Sequence, residues 1–235
     1  MNNQNNINNS IEYLEYKKSF EAWDKTYSQC HLADLRMQTL AVEPMFDACI
    51  NYFSMNCNRV LDYGCGTGDI LFQCYQTGNL TYGLGIDLSQ KGIEYANEMI
   101  AYNSFSNLDF LVGDTSLLSQ YEEEDFDGII LSNVLDVMPK STAIVVFDEL
   151  TRLLRKGGLI FLKLNPFYSE MELSEIGLTN IKDNLYEEDG VLHLREVDTA
   201  AWHRAFEKRY DIIRYLEFPY SWQDGMNRLF LLQKK

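Results

Sequence analysis

The chain reads as a doubly wound α/β fold, a mostly parallel sheet with helices on both faces. Two observations predict it. Short apolar runs of strand length alternate with helix-like segments at 69–77, 90–103, 115–120 and 141–155, and such alternation builds parallel strand–helix–strand units. The first of these runs ends in a glycine-rich turn, Gly64-Cys65-Gly66-Thr67-Gly68. Ligands of such sheets bind outside the carboxyl ends of the strands, where Gly64, Asp87, Asp114 and Asn133 all fall. The length, 235 residues, suits one domain with a sizeable core.

Taken in order, Met1–Ser10 is an Asn-rich tract with almost nothing to bury, expected to be disordered. From Ile11 to about Met55 the periodicity is helical. Tyr16, Phe20, Trp23 and Tyr27 share one stripe, and a second helix is expected near Leu40–Phe53. The aromatic stripe has two readings: packing on the core, or closing over a site. Val60-Leu61-Asp62-Tyr63 then leads into the glycine turn, where backbone can approach a ligand that side chains would block. A dinucleotide fingerprint would need glycine at 69, which is Asp69, and a phosphate loop would need Gly-Lys-Ser/Thr, which is absent. The turn therefore asks for a nucleotide-like ligand of another kind. The second strand, Tyr82–Asp87, ends in a carboxylate 19 positions after Gly68, suited to accept both hydroxyls of a ribose. A third ends in Gly113-Asp114, a fourth runs Phe126–Ser132 into Asn133, and a fifth follows Gly157-Gly158, read as a turn. Asp62 could instead hydrogen-bond its own loop, and Asp87 and Asp114 could be helix caps. Cys65 reads as a small loop residue, and Glu122–Asp125 as a solvated loop.

Leu61-Asp62-Tyr63-Gly64-Cys65-Gly66-Thr67-Gly68 resembles motif I of the class I S-adenosylmethionine-dependent methyltransferases. The segments ending in Asp87 and Asp114, Phe126–Leu135 and Leu153–Phe161 resemble the family's following pieces in order, so the likeness covers roughly residues 58–166. It implies a seven-stranded sheet whose last strand is antiparallel, with an N-terminal helical lid. It also implies that S-adenosylmethionine is the cofactor, leaving as S-adenosylhomocysteine. Asp62, Gly64, Cys65, Gly66, Gly68, Asp87, Leu88, Asp114, Thr115, Asn133 and Trp23 are the candidate cofactor-binding residues. In the family the aspartate at position 114 meets the adenine amine. The expected organisation is a tail at 1–10, helices and lid at 11–57, and a methyltransferase domain at 58–235 with an insertion at about 167–197.

Within that insertion a hairpin is expected around Glu187–Gly190, followed by a helix capped by Asp198 or Thr199 and running to Lys208. Strands at Ile212–Phe218 and Arg228–Gln233 close the chain. Candidate general bases are Asp136, His31 and Tyr27, with Tyr168, His193 and His203 behind them. Asp136 stands where many family members carry histidine, and could equally cap a helix. No grouping has zinc spacing, so no metal is expected.

With 35 acidic against 20 basic residues the net charge is −15, which argues against a nucleic-acid substrate. Ser132-Asn133-Val134-Leu135 also departs from the Asn/Asp-Pro-Pro-Tyr/Phe pattern of nucleobase amine methyltransferases. Five cysteines with no Cys-x-x-Cys pair, no signal peptide and no membrane-length apolar run point to reduced thiols in the cytoplasm. The reading is a methyltransferase acting on a small molecule. The alternatives are a protein or peptide methyltransferase, or a non-catalytic cofactor-binding subunit that activates a partner. A nicotinamide oxidoreductase ranks behind these, opposed by Asp69. Acceptor and oligomeric state are not legible.

Overall fold

A computed structural model describes residues 11–235, with side chains described from residue 18. The Met1–Ser10 tract and the stripe residue Tyr16 therefore lie outside what is described. Seven strands form one sheet: β1 (Arg59–Tyr63), β2 (Tyr82–Asp87), β3 (Leu108–Val112), β4 (Phe126–Ser132), β5 (Leu154–Leu164), β9 (Tyr210–Tyr220) and β10 (Gln223–Lys234). Their spatial order is β3-β2-β1-β4-β5-β10-β9. The first five run parallel, and β10 is antiparallel to both β5 and β9. This is the doubly wound, mostly parallel seven-stranded sheet with an antiparallel last strand that the sequence predicts.

Central parallel strands are buried on both faces and so read as continuous apolar runs. Val60 and Leu61 on β1 are each fully buried but feed different cores. On one face, α2 (Pro44–Asn56), α3 (Asp69–Thr77) and α4 (Gln90–Asn103) pack through Phe46, Phe53, Phe72 and Met99 onto Phe161, Phe218 and Leu231. On the other, α5 (Lys140–Leu153) and α7 (Thr199–Phe206) pack Phe147, Leu150, Trp202 and Phe206 onto Leu61, Ile160 and Phe230. The predicted cap of α7 is Asp198, whose side chain accepts from Ala201 N.

Helical periodicity does not continue through 28–43. Side chains from elsewhere take up the backbone amides there, so no helical ladder forms. Leu35 N donates to Asn103 Oδ1 at 2.7 Å and Leu40 N to Gln76 Oε1 at 2.8 Å. The second helix accordingly begins at Pro44, whose missing N–H costs nothing in a first turn, with Glu43 accepting from Met45 N and Phe46 N. Gly157-Gly158 also differs from expectation. It lies inside β5, where the register with β4 shifts, and Gly157 takes φ 73°.

The insertion holds a short helix, α6 (Glu170–Glu175), and a three-stranded antiparallel sheet of β6 (Thr179–Lys182), β7 (Leu185–Glu188) and β8 (Val191–Arg195). The predicted hairpin is β7–β8, turning at Asp189-Gly190 with φ 53° and 78°. β8 reaches α1 (Ile11–Tyr27), where Leu192 N donates to Ser19 Oγ at 3.0 Å. The other side of α1 is pinned to the start of α4: Asp24 Oδ1 accepts from Ser89 Oγ at 2.5 Å and from Lys91 N at 3.0 Å. Among the described residues no helix is long and apolar enough to cross a membrane.

Phe161 is fully buried, edge-on to Phe46 at 5.2 Å between ring centroids. Phe161→Ala is expected to cost about 3–5 kcal/mol in denaturant unfolding. A loss below about 1 kcal/mol would show that α2 is not part of the main core.

Candidate ligand-binding site

The turn after β1 is tied to the end of β2. Gly64 N and Cys65 N both donate to Ile86 O, at 2.7 and 3.2 Å, and Gly66 N donates to Asp87 Oδ2 at 2.8 Å. The other Asp87 oxygen accepts from Ser89 N at 2.8 Å. Both carboxylate oxygens are thus oriented by backbone, each with a second lone pair for a ligand. Gly66 has φ 53°, and a Cβ there would stand 2.7 Å from the Tyr27 hydroxyl, so α1 rests directly on the loop.

Three carboxyls gather here without a base. Burial raises Asp62 well above the usual carboxylate range, and the charges of Asp87 and Asp69 raise it further. Burial also raises Asp69, against the Thr67 hydroxyl bond, and raises Asp87, against the amides of Ser89, Gly66 and Leu88. Among the described residues, no Lys or Arg figures in the groups that shift them. A ligand carrying positive charge would relieve this repulsion.

A cavity of about 320 Å³ opens over these strand ends. Of the sequence-predicted residues, Trp23, Tyr27, Gly64, Asp87, Leu88 and Asn133 line it. Asp62 is buried at the end of β1, and Cys65, Gly66 and Gly68 form the loop. Asp114 is exposed, and its Oδ1 accepts from Ser116 N at 2.8 Å, capping the 3₁₀ turn that begins at Thr115. Its neighbour Gly113 lines the cavity.

The candidate bases separate. His31 is exposed on the loop after α1 and does not line the cavity. Asp136 is 1% exposed and also stands outside the lining, with Oδ2 accepting from Asn165 N at 2.7 Å. Tyr27 does line it, but burial and the nearby Asp87 hold its phenol far above its ordinary value, which makes it a hydrogen-bond donor rather than a base. Tyr168 donates to Asp224 O, His193 sits beside Glu188, and His203 packs on Tyr215 and Phe230.

Phe20, on the aromatic stripe, also lines the cavity, whereas sequence reasoning missed Ser19, Val137, Met138 and Leu192. It also missed a buried polar belt at the ends of β4 and β5. There Lys163 Nζ donates to Asn133 Oδ1 at 2.8 Å, and Arg228 donates to Asn165 O and Val197 O at 3.0 and 2.7 Å. Arg195 donates to Leu135 O at 2.8 Å. Glu196, 6% exposed, joins this belt; burial pushes its carboxyl up to about 7, against the opposing charge of Arg228. A larger cavity of about 710 Å³ lies between α5, α7 and the insertion, and none of the predicted site residues lines it.

A carboxyl raised on folding contributes stability that is present below its unfolded pKa and lost as pH rises through the folded one. Glu196→Gln should therefore melt like the parent near pH 4 and several degrees higher above pH 7. Parallel melting curves across that range, identical at every pH, would remove the buried charge.

A family profile described as a methyltransferase domain matches residues 56–208. Over 126 residues the chain is 29% identical to an arsenite methyltransferase of Halobacterium salinarum, covering 51% of this chain and 31% of the relative. Over 111 residues it is 32% identical to the tRNA N(3)-cytidine methyltransferase METTL2 of Gallus gallus, covering 45% and 30%. The matched part thus spans about a third of the length of these relatives. Among solved structures, the Burkholderia thailandensis 1,6-didemethyltoxoflavin-N1-methyltransferase, crystallised with that compound and S-adenosylhomocysteine, superposes with a TM-score of 0.66. The identity is 15%, over 94% of this chain and 86% of that one, so the likeness is one of fold.

Proposed function

Because the chain belongs to the methyltransferase-domain family, we propose that it is an S-adenosylmethionine-dependent methyltransferase whose acceptor is a small molecule. The observation that carries this is the acidic ends of β1 and β2, where Asp62, Asp69 and Asp87 surround a glycine loop that carries no phosphate-binding lysine of its own. When bound, the cofactor supplies an electrophilic methyl group on a sulfonium.

The chain's own residues do the rest by holding and enclosing. Asp87, already braced by two amides, accepts from the ribose hydroxyls. Gly113 and Leu88 of the lining, with Asp114 and Thr115 beside Gly113, would hold the adenine end. The stacked rings of Trp23 and Tyr27, 5.6 Å apart, offer aromatic faces to positive charge. α1 and β8 cover the opening, so alignment and exclusion of water carry the rate. In the lining Tyr27 is held far above its ordinary value and both Asp87 oxygens are already taken up by amides, so neither is a free base. This suits an acceptor that presents a lone pair without needing deprotonation. The modest cavity volume, about 320 Å³, and the net charge of −15 favour a small acceptor over RNA or a protein surface.

Calorimetric titration with S-adenosylmethionine, S-adenosylhomocysteine and NAD tests the reading: the first two should bind and NAD should not. Binding of NAD alone, or of none, overturns it. Asp87→Ala should weaken S-adenosylhomocysteine binding by more than about tenfold, and an unchanged Kd would remove its ribose role. A bound cation lowers the raised carboxyl pKa values, so S-adenosylmethionine binding should release protons and tighten as pH rises. Heats compared in buffers of different ionisation enthalpy read that release directly.

A further inference from the structure

At the end of β4 the cavity wall carries two polar residues, Ser132 and Asn133. Asn133 sits in the left-handed region, φ 55°, immediately after Ser132, which pairs with Lys163 across β4 and β5. Lys163 holds it twice: its carbonyl accepts from Asn133 N at 2.9 Å, and its Nζ donates to Asn133 Oδ1 at 2.8 Å. An ammonium has three protons and no lone pair, so the end of the amide that meets it is the oxygen. The NH2 is then the end left for the cavity that Asn133 lines.

Lys163 has no freedom to do otherwise. It is 2% exposed, and its Nζ lies 5.0 Å from the centroid of the Tyr220 ring on β9. Burial pushes it down to about 8, and the charge of Asp136 opposes that fall. A buried cation needs an acceptor, and Asn133 Oδ1 supplies one.

We propose that Lys163 is a positioning residue that fixes the Asn133 amide with its NH2 toward the cavity, so that this wall recognises a hydrogen-bond-accepting oxygen, anionic or carbonyl, on the bound ligand. The proposal rests on the methyltransferase reading above. That oxygen has two sources: the carboxylate of the methyl donor, or an oxygen of the methyl acceptor. A protonated amine meets a donor at this point and is disfavoured.

Asn133→Asp keeps the shape and replaces the NH2 by oxygen. Lys163→Met removes the ammonium, and Lys163→Arg retains a donor-only cation. Each variant would be titrated with S-adenosylhomocysteine and with 5′-methylthioadenosine, which shares the nucleoside but lacks the amino-acid portion. If the donor's carboxylate is the partner, Asn133→Asp and Lys163→Met weaken S-adenosylhomocysteine by more than about tenfold, leave methylthioadenosine unchanged, and Lys163→Arg recovers most of the loss. If the methyl acceptor is the partner, both nucleoside affinities stay unchanged. Benzoate then binds the S-adenosylhomocysteine-loaded parent and is lost in Asn133→Asp. Should Lys163→Met fail to fold, Asn133→Asp decides alone. Parent-like binding of all three probes by Asn133→Asp overturns this proposal and leaves the methyltransferase reading standing. A parent protein that binds neither nucleoside overturns that reading and this proposal with it.

Discussion

The double grip on Asp87 is the constraint from which the rest of the site follows. One carboxylate, on the last residue of β2, takes the amide of Gly66 on one oxygen and the amide of Ser89 on the other. It thereby joins the β1 loop to the segment that starts α4. Ser89 in turn donates its hydroxyl to Asp24, which seats α1. Strand, loop, helix start and cover are coupled through this one short chain of bonds. Buried bonds to a charged acceptor are among the stronger ones available, and here they act on elements that packing alone would leave free to slide.

That coupling carries an electrostatic cost which the chain leaves standing. Asp62, Asp69 and Asp87 are brought close and desolvated, and among the described residues no lysine or arginine is spent on them. The basic side chains go elsewhere, Lys163, Arg195 and Arg228 being buried across the ends of β4, β5 and β10. The carboxyl end of the sheet is therefore divided: over β1 and β2 the acids stand together, whereas over β4 and β5 Lys163, Arg195 and Arg228 are interleaved with the buried acids Asp136 and Glu196.

How much of this was legible in the sequence depends on whether a residue's partner is near in the chain. The strand–turn motifs were readable because glycine spacing and strand-end acids act locally, and the sheet followed from them. The cap at Asp198 and the Asp189-Gly190 turn were readable for the same reason. The short helix of the insertion also carried a signal, the capping box of Ser169 and Glu172. The loop at 28–43 was not readable, because Asn103 and Gln76, more than 35 positions away, decide its backbone pairing. Lys163 and Arg228 were missed because a charged residue in a strand looks solvent-facing until register places its neighbours around it, and Glu196, one residue past β8, because only the folded insertion buries it.

β10 joins the sheet between β5 and β9, and its residues Leu229, Phe230, Leu231 and Leu232 enter both cores. The tenth strand in order of synthesis is therefore an interior one. Until it emerges from the ribosome, β5 has an open, largely apolar edge and β9 has no partner to pair with. The five parallel strands can assemble early, but the nascent chain stays an unfinished sheet with a template for wrong pairing. From the emergence of β5 to that of β10, an edge that the finished sheet buries stands unpaired.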